Sequence, residues 1–138
     1  MFNYGSLQTT NPLTPQASIQ LHNPSNNSQN CEANAIVDTG AVMTCIPEAE
    51  IKKLGRALRY STIQMRDANG NVQVRKTYWI SIRIAEHEYE ELEVIAITKK
   101  YALIGRDILN QHKLVLNAPK KKWGLGCNES ICPNHGSK

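Results

Sequence analysis

Nothing in this chain approaches the ~20 consecutive apolar residues of a membrane span. The opening residues, "MFNYGSLQTTNPLTPQASIQ", carry no basic start and no apolar run of signal-peptide length. A soluble, cytoplasmic protein with no membrane partner is the expectation. Four cysteines are present, Cys31, Cys45, Cys127 and Cys132. Without a secretion signal they read as reduced thiols, which argues against a disulfide framework. No glycine-rich stretch of the phosphate-cradling kind occurs, and no internal repeat. His22, His87, His112 and His135 are scattered, without an obvious Cys or Ser partner. Cys45 sits inside an apolar run and reads as a core residue, not a nucleophile.

What is present suits one packed domain. The chain has 138 residues, 41% of them hydrophobic and 20% charged, with a formal net charge of +4. Positive charge gathers in "KKYA" (99–102) and "PKKKW" (119–123), against an acidic stretch "EHEYEELE" (86–93). No aromatic or Gly-rich platform accompanies the basic runs, so solvated turns are a better reading than a nucleic-acid surface. "CNESICPNH" offers Cys127, Cys132 and His135 as metal ligands. Structural zinc sites bring a fourth ligand and a tighter cysteine pair, so no metal or other cofactor is assigned.

Residues 1–30 are rich in Asn, Gln, Ser, Thr and Pro and read as a poorly ordered arm. Residues 127–138 read as a similar tail, leaving 31–126 as the folded domain. Within it the pattern is mainly β, with one or two short helices. "NAIVD" (34–38) and "VMTCI" (42–46) are short buried strands. "PEAEIKKLG" (47–55) is a short helix, with Pro47 at the first position and Gly55 at the end. "TIQMRDANGNVQVRK" (62–76) is a hairpin with its tip at Ala68, Asn69, Gly70 and Asn71. Residues 77–97 form a second hairpin turning near Glu86-His87, with Ile80, Ile82 and Ile84 alternating. Residues 101–114 give a strand end, Gly105 and a short helix that Asp107 can cap, and 113–125 a third hairpin turning at 117–120.

The stretch that carries chemistry is "AIVDTGAVMTCIP" (35–47). Asp38 stands where a buried strand opens into a tight loop. Gly40 permits close backbone approach, and the Thr39 hydroxyl can brace the loop. Asp-Thr-Gly alone is a weak signal, but "ALIGRDIL" (102–109) follows it downstream as apolar-apolar-Gly before a helix start.

These two motifs, in this order, resemble the retropepsin-like aspartic proteases of retroviruses, retrotransposons and related cellular enzymes. The similarity runs from about Ala35 to Leu125. It implies a retropepsin-like half-barrel closed by dimerisation, and aspartic endopeptidase activity with Asp38, Thr39 and Gly40 as the catalytic triplet. It implies that Thr39 hydroxyls lock two active-site loops across a subunit boundary and that Ala41 lines the cleft. The loop Ala68–Asn71 would close over substrate, and the segment Gly105, Arg106, Asp107 would support the catalytic loop from beneath. Terminal strands would build the dimer interface, with Trp123 either an anchor there or a cover for the core edge. One departure stands out. Retroviral members often carry an acid two residues after the signature glycine, paired with the arginine of Gly-Arg; here that position is Val42, which leaves Arg106 to find another partner.

The chemistry requires two carboxylates, yet of three aspartates only Asp38 has a catalytic context. One loop per chain implies a homodimer, with a polypeptide substrate extended across the shared cleft. Two alternatives are a catalytically silent module of the same fold that dimerises or binds peptides, and a nucleic-acid-associated protein using the basic tail. The N-terminal arm, through "QASIQLHN" (16–23), is also a candidate for self-trimming.

Overall fold

The computed structural model describes residues 1–7 and 12–127. Its strands are β1 (Phe2–Gly5), β2 (Thr14–Asn23), β3 (Asn26–Val37), β4 (Cys45–Pro47), β5 (Tyr60–Arg66), β6 (Val72–Ile84), β7 (His87–Ile97), β8 (Ala102–Ile104), β9 (His112–Asn117) and β10 (Lys122–Cys127). Two short helices interrupt them, α1 (Glu48–Ile51), which tightens into a 3-10 turn over Lys52–Leu54, and α2 (Arg106–Leu109). The mainly-β class read from the sequence is the class observed.

Strand neighbours run β5-β6-β7-β4-β8-β3-β2-β1-β10-β9, and β2 also pairs with β6. That extra pairing, through Gln20–Arg83, Leu21–Ile82 and His22–Ser81, closes β2, β3, β8, β4, β7 and β6 into a ring. The ring of strands closes through pairings within one chain. Ile80, Ile82 and Ile84 of β6 are fully buried in it, beside Ile19 and Leu21 of β2 and Ile46 of β4. Burying each such side chain contributes about 1.5–3 kcal/mol relative to leaving it in water.

The expected disorder of residues 1–30 is corrected here. β1, β2 and the first part of β3 occupy most of that span, and Ile19 and Leu21 are 0% exposed. The polar composition belongs to the outward positions of a strand with period 2, where Ser18 lies exposed between Ala17 and Ile19. Asn23, 2% exposed, is a structural polar residue: its Nδ2 donates to the Leu54 carbonyl at 3.0 Å and to Gln29 Oε1 at 3.2 Å, and its Oδ1 accepts from Ser25 N–H. Self-trimming within 16–23 would require withdrawing a strand paired to β3 on one side and β6 on the other.

Other boundaries move for local reasons. The strand expected at 42–46 is confined to Cys45–Pro47, because the carbonyls of Ala41 and Val42 accept from Arg106 and Asp107 N–H groups and not from a ladder. Pro47 closes β4 one residue before α1, and Gly55 ends the turn at φ 95°, a conformation that suits glycine. β6 is one continuous strand shared by two hairpins. The turn after it places Ala85 at φ 54°. Trp123 is fully buried by its own chain: Phe2 stacks on it with ring centroids 4.5 Å apart, and its Nε1 donates to the Gln16 carbonyl at 2.9 Å. It is a core cover. Cys132 and His135, and the side chain of Cys127, lie outside the described residues, as does the rest of the tail. No helix among the described residues is long and apolar enough to cross a membrane.

Candidate active site

β3 and β8 run parallel, with Ala35 opposite Ala102 and Val37 opposite Ile104. The register delivers Asp38 and Gly105 to the same end of the barrel, and Asp38 N–H donates to the Ile104 carbonyl at 3.0 Å. The chain then turns sharply: Ala41 N–H bonds the Asp38 carbonyl at 3.1 Å, and Gly40 N–H donates to Asp38 Oδ1 at 3.0 Å. A backbone donor on one carboxylate oxygen fixes the side chain's orientation. A Cβ on Gly40 would stand 3.2 Å from that oxygen, so the residue type is part of the geometry.

The loop is clamped from below. Arg106 N–H donates to the Ala41 carbonyl at 2.8 Å and Asp107 N–H to that of Val42 at 3.3 Å. Gly105 passes so close that a Cβ there would lie 2.6 Å from the Met43 carbonyl carbon and 2.8 Å from Thr44 N. Thr44, 0% exposed, joins the two segments: its backbone N–H donates to Asp107 Oδ2 at 3.0 Å, its hydroxyl to Asp107 Oδ1 at 2.7 Å, and its Oγ accepts from Gly105 N–H at 3.1 Å.

Asp107 therefore does not cap α2 as expected. Gly105 stands in the cap position without a side-chain bond, and the Asp107 carboxylate serves Thr44, reaching only the adjacent Ile108 N–H in its own helix. Two donors on one buried residue outweigh a single helix-end amide. Thr44 was missed from the sequence. Its signal was a hydroxyl inside an apolar run, which once buried must find partners.

The remaining expected site residues divide clearly. Thr39 is exposed, and its hydroxyl makes no hydrogen bond among the described residues. Arg106 is exposed, without an ion pair among the described residues, and Val42 is 66% exposed where an acid partner would stand. Ala68, Asn69, Gly70 and Asn71 form the tip of the β5–β6 hairpin, with no hydrogen bond to Asp38 among the described residues. That tip is organised by Asp67, whose Oδ1 accepts from Asn69 and Asn71 N–H at 2.9 Å each, and Gly70 turns at φ 86°. β5 is an edge strand, so the hairpin hangs from β6 alone.

Cys45 lies beside the loop. Burial first, then the charges of Asp38 and Asp107, push its thiol up to about 11. A thiol held protonated, with Sγ on the Met43 carbonyl at 3.4 Å, is a poor nucleophile. An open groove of about 580 Å³ between the β2–β3 and β6–β7 hairpins, lined by Gln20, His22, Arg83 and Glu88 among others, does not include Asp38. No cluster of three or more His, Cys, Asp or Glu able to hold a metal occurs among the described residues.

Comparison with known proteins agrees with this fold. The fold is that of retroviral proteases: the EIAV protease complexed with the inhibitor HBY-793 superposes with a TM-score of 0.56 at 22% identity, over 75% of this chain and 93% of that one. A foamy viral protease-reverse transcriptase in complex with an RNA/DNA hybrid matches with a TM-score of 0.51 at 22% identity, over 72% of this chain and 12% of that one. No curated protein matches the chain. The model of the family described as "gag-polyprotein putative aspartyl protease" matches residues 26–111, and the chain belongs to that family.

Proposed function

We propose that the protein is an aspartic endopeptidase whose active site forms between two copies of the chain, one Asp38 from each. The observation that carries this is the Asp38 loop itself: an acid at the end of β3, oriented by Gly40 N–H and braced by Gly105 and Thr44, with no second loop of that kind in the chain. A carboxylate so positioned, and alone, has half of what the reaction needs.

In the paired state one Asp38 is ionised and takes a proton from a water held between the two, while the other is protonated and donates to the scissile carbonyl oxygen. Carboxylates about 3 Å apart cannot both ionise cheaply, so the pair holds one proton across an acidic window, and its apparent pKa values belong to the pair. Thr39, exposed and with no hydrogen bond from its hydroxyl among the described residues, is available to a second copy. The substrate lies extended, its main chain bonding to the loop near Gly40 and Ala41 and to the hairpin tip Ala68–Asn71 closing over it.

The deciding experiment is incubation with a diverse peptide mixture from about pH 3 to about pH 7, with cleavages identified by mass spectrometry beside Asp38→Asn. Cleavage by wild type that is lost in the variant is the expected result. Equal cleavage in both would end the assignment. Dimerisation without cleavage at any pH would leave a silent peptide-binding module in its place.

A further inference from the structure

A second cluster of titratable groups lies where the β6–β7 turn meets the terminal hairpin β9–β10. His112, the first residue of β9, is engaged at both ring nitrogens. Nδ1 faces the Gly126 carbonyl of β10 at 3.2 Å, and Nε2 faces the Tyr89 hydroxyl of β7. A carbonyl only accepts, so Nδ1 carries the proton and Nε2 accepts from Tyr89 O–H. The chain of bonds Tyr89–His112–Gly126 thus ties the barrel to both strands of the terminal hairpin, and it does so for neutral His112.

Each element packed around His112 contributes to its electrostatics. From β7, the His87 ring stands edge-on with centroids 4.5 Å apart, and Tyr89 is 6% exposed. From the turn, the Glu86 carboxylate lies 3.8 Å from His87 Nε2, and the Met1 ammonium acts on Glu86 in turn. β10 offers the Gly126 carbonyl. On β9 the neighbouring Lys113 is exposed, and of the charged residues on α2, Arg106 is exposed and Asp107 is turned to Thr44. Burial first and then His87 hold His112 below the ordinary histidine range, against weaker opposite pulls from Gly126 and Glu86. Burial likewise pushes the Tyr89 hydroxyl up, so it stays a donor.

We propose that Tyr89–His112–Gly126 is an acid-released latch on the β9–β10 hairpin. A proton added at Nε2 turns the acceptor into a donor. Tyr89 must then swing its hydrogen away into buried surroundings, and a positive charge arises against His87. The sign follows from linkage: the released ring binds protons more readily than the latched one, so the latch holds fully above about pH 6.5 and weakens as pH falls below it. If the dimer reading above holds and the terminal strands make the interface, the latch also tunes the pairing of the two Asp38 loops, loosening it on the acid side.

Amide hydrogen exchange on the full chain, corrected for intrinsic rates, tests this at about pH 7.5 and about pH 5. Protection of residues 112–127 should fall about tenfold or more at the lower pH while the β2–β3 ladder keeps its own. The step should vanish in His112→Asn, which keeps an N–H for Gly126 and cannot titrate. Should that variant not fold, ring-nitrogen NMR of the wild type decides: an Nδ1–H tautomer at neutral pH, with a midpoint below about 6.5 that tracks the loss of protection. Unchanged protection, a step that persists in His112→Asn, an Nε2–H tautomer, or a midpoint at or above the ordinary histidine value would each overturn the latch. Sedimentation on the same samples separates the two readings: release of the hairpin with an unaltered dimer upholds the latch and removes the hairpin from the interface.

Discussion

Two loops of this molecule turn on glycines, and they are held in opposite ways. The Asp38 loop is pinned by a second segment far along the chain, with Gly105 in backbone contact with Met43 and Thr44 and the Thr44–Asp107 pair beneath. Among the described residues, the tip at Ala68–Asn71 is held by its own Asp67 and by Arg66, which donates to the Gly70 carbonyl at 3.0 Å. A reacting carboxylate must be placed to a fraction of an ångström, and long-range clamping does that. Under the proposed function the tip has to move to admit a polypeptide, and an edge hairpin held by local bonds suits that.

The sharpest way to break this contrast is to add one methyl group to each loop. Gly105→Ala places a Cβ 2.6 Å from backbone and should destabilise by about 3 kcal/mol or more, seen as a large fall in the denaturant midpoint. Gly70→Ala meets no atom within 4 Å and is strained only by φ 86°, so it should lose about 1 kcal/mol. Equal losses would mean that the Gly105 approach relaxes and the clamp is soft.

Next is Thr44→Val, which keeps the shape and strands the Gly105 N–H and one Asp107 oxygen. A loss of about 2 kcal/mol is expected, together with a fall in turnover larger than any change in KM; Thr44→Ser should restore most of both. A smaller effect is expected from Asp67→Ala. It removes two exposed bonds at the tip and should lower stability by about 1 kcal/mol or less, with its clearest trace in substrate affinity. Cys45 offers a test that leaves the fold untouched. A thiol near 11 carries little thiolate at about pH 8, so alkylation should be slow, and it should speed up when the chain is unfolded.

Local patterns in the sequence led to much of this. The alternation of Ile80, Ile82 and Ile84, the Asn-Gly tip and Gly55 at the helix end all speak through neighbours within a few residues, where sterics and period decide. The acid at the end of β3 was legible in the same way, from an apolar run broken by Asp38 and followed by Gly40. Misreadings came where a local pattern was diluted or had a distant competitor. β2 hides two core residues among amides and hydroxyls, and its burial depends on β6, far along the chain.

The chain by itself determined the candidate site, because a carboxylate before a tight glycine turn is a matter of adjacent residues. Only the tertiary structure decided what holds it. Asp107 had two possible jobs, a helix end beside it and Thr44 at a separation of 63 residues, and the distant one prevailed. The physical reason is burial: closing the barrel removes Thr44 from water, and a buried hydroxyl and N–H bind a carboxylate more strongly than a solvated helix end can.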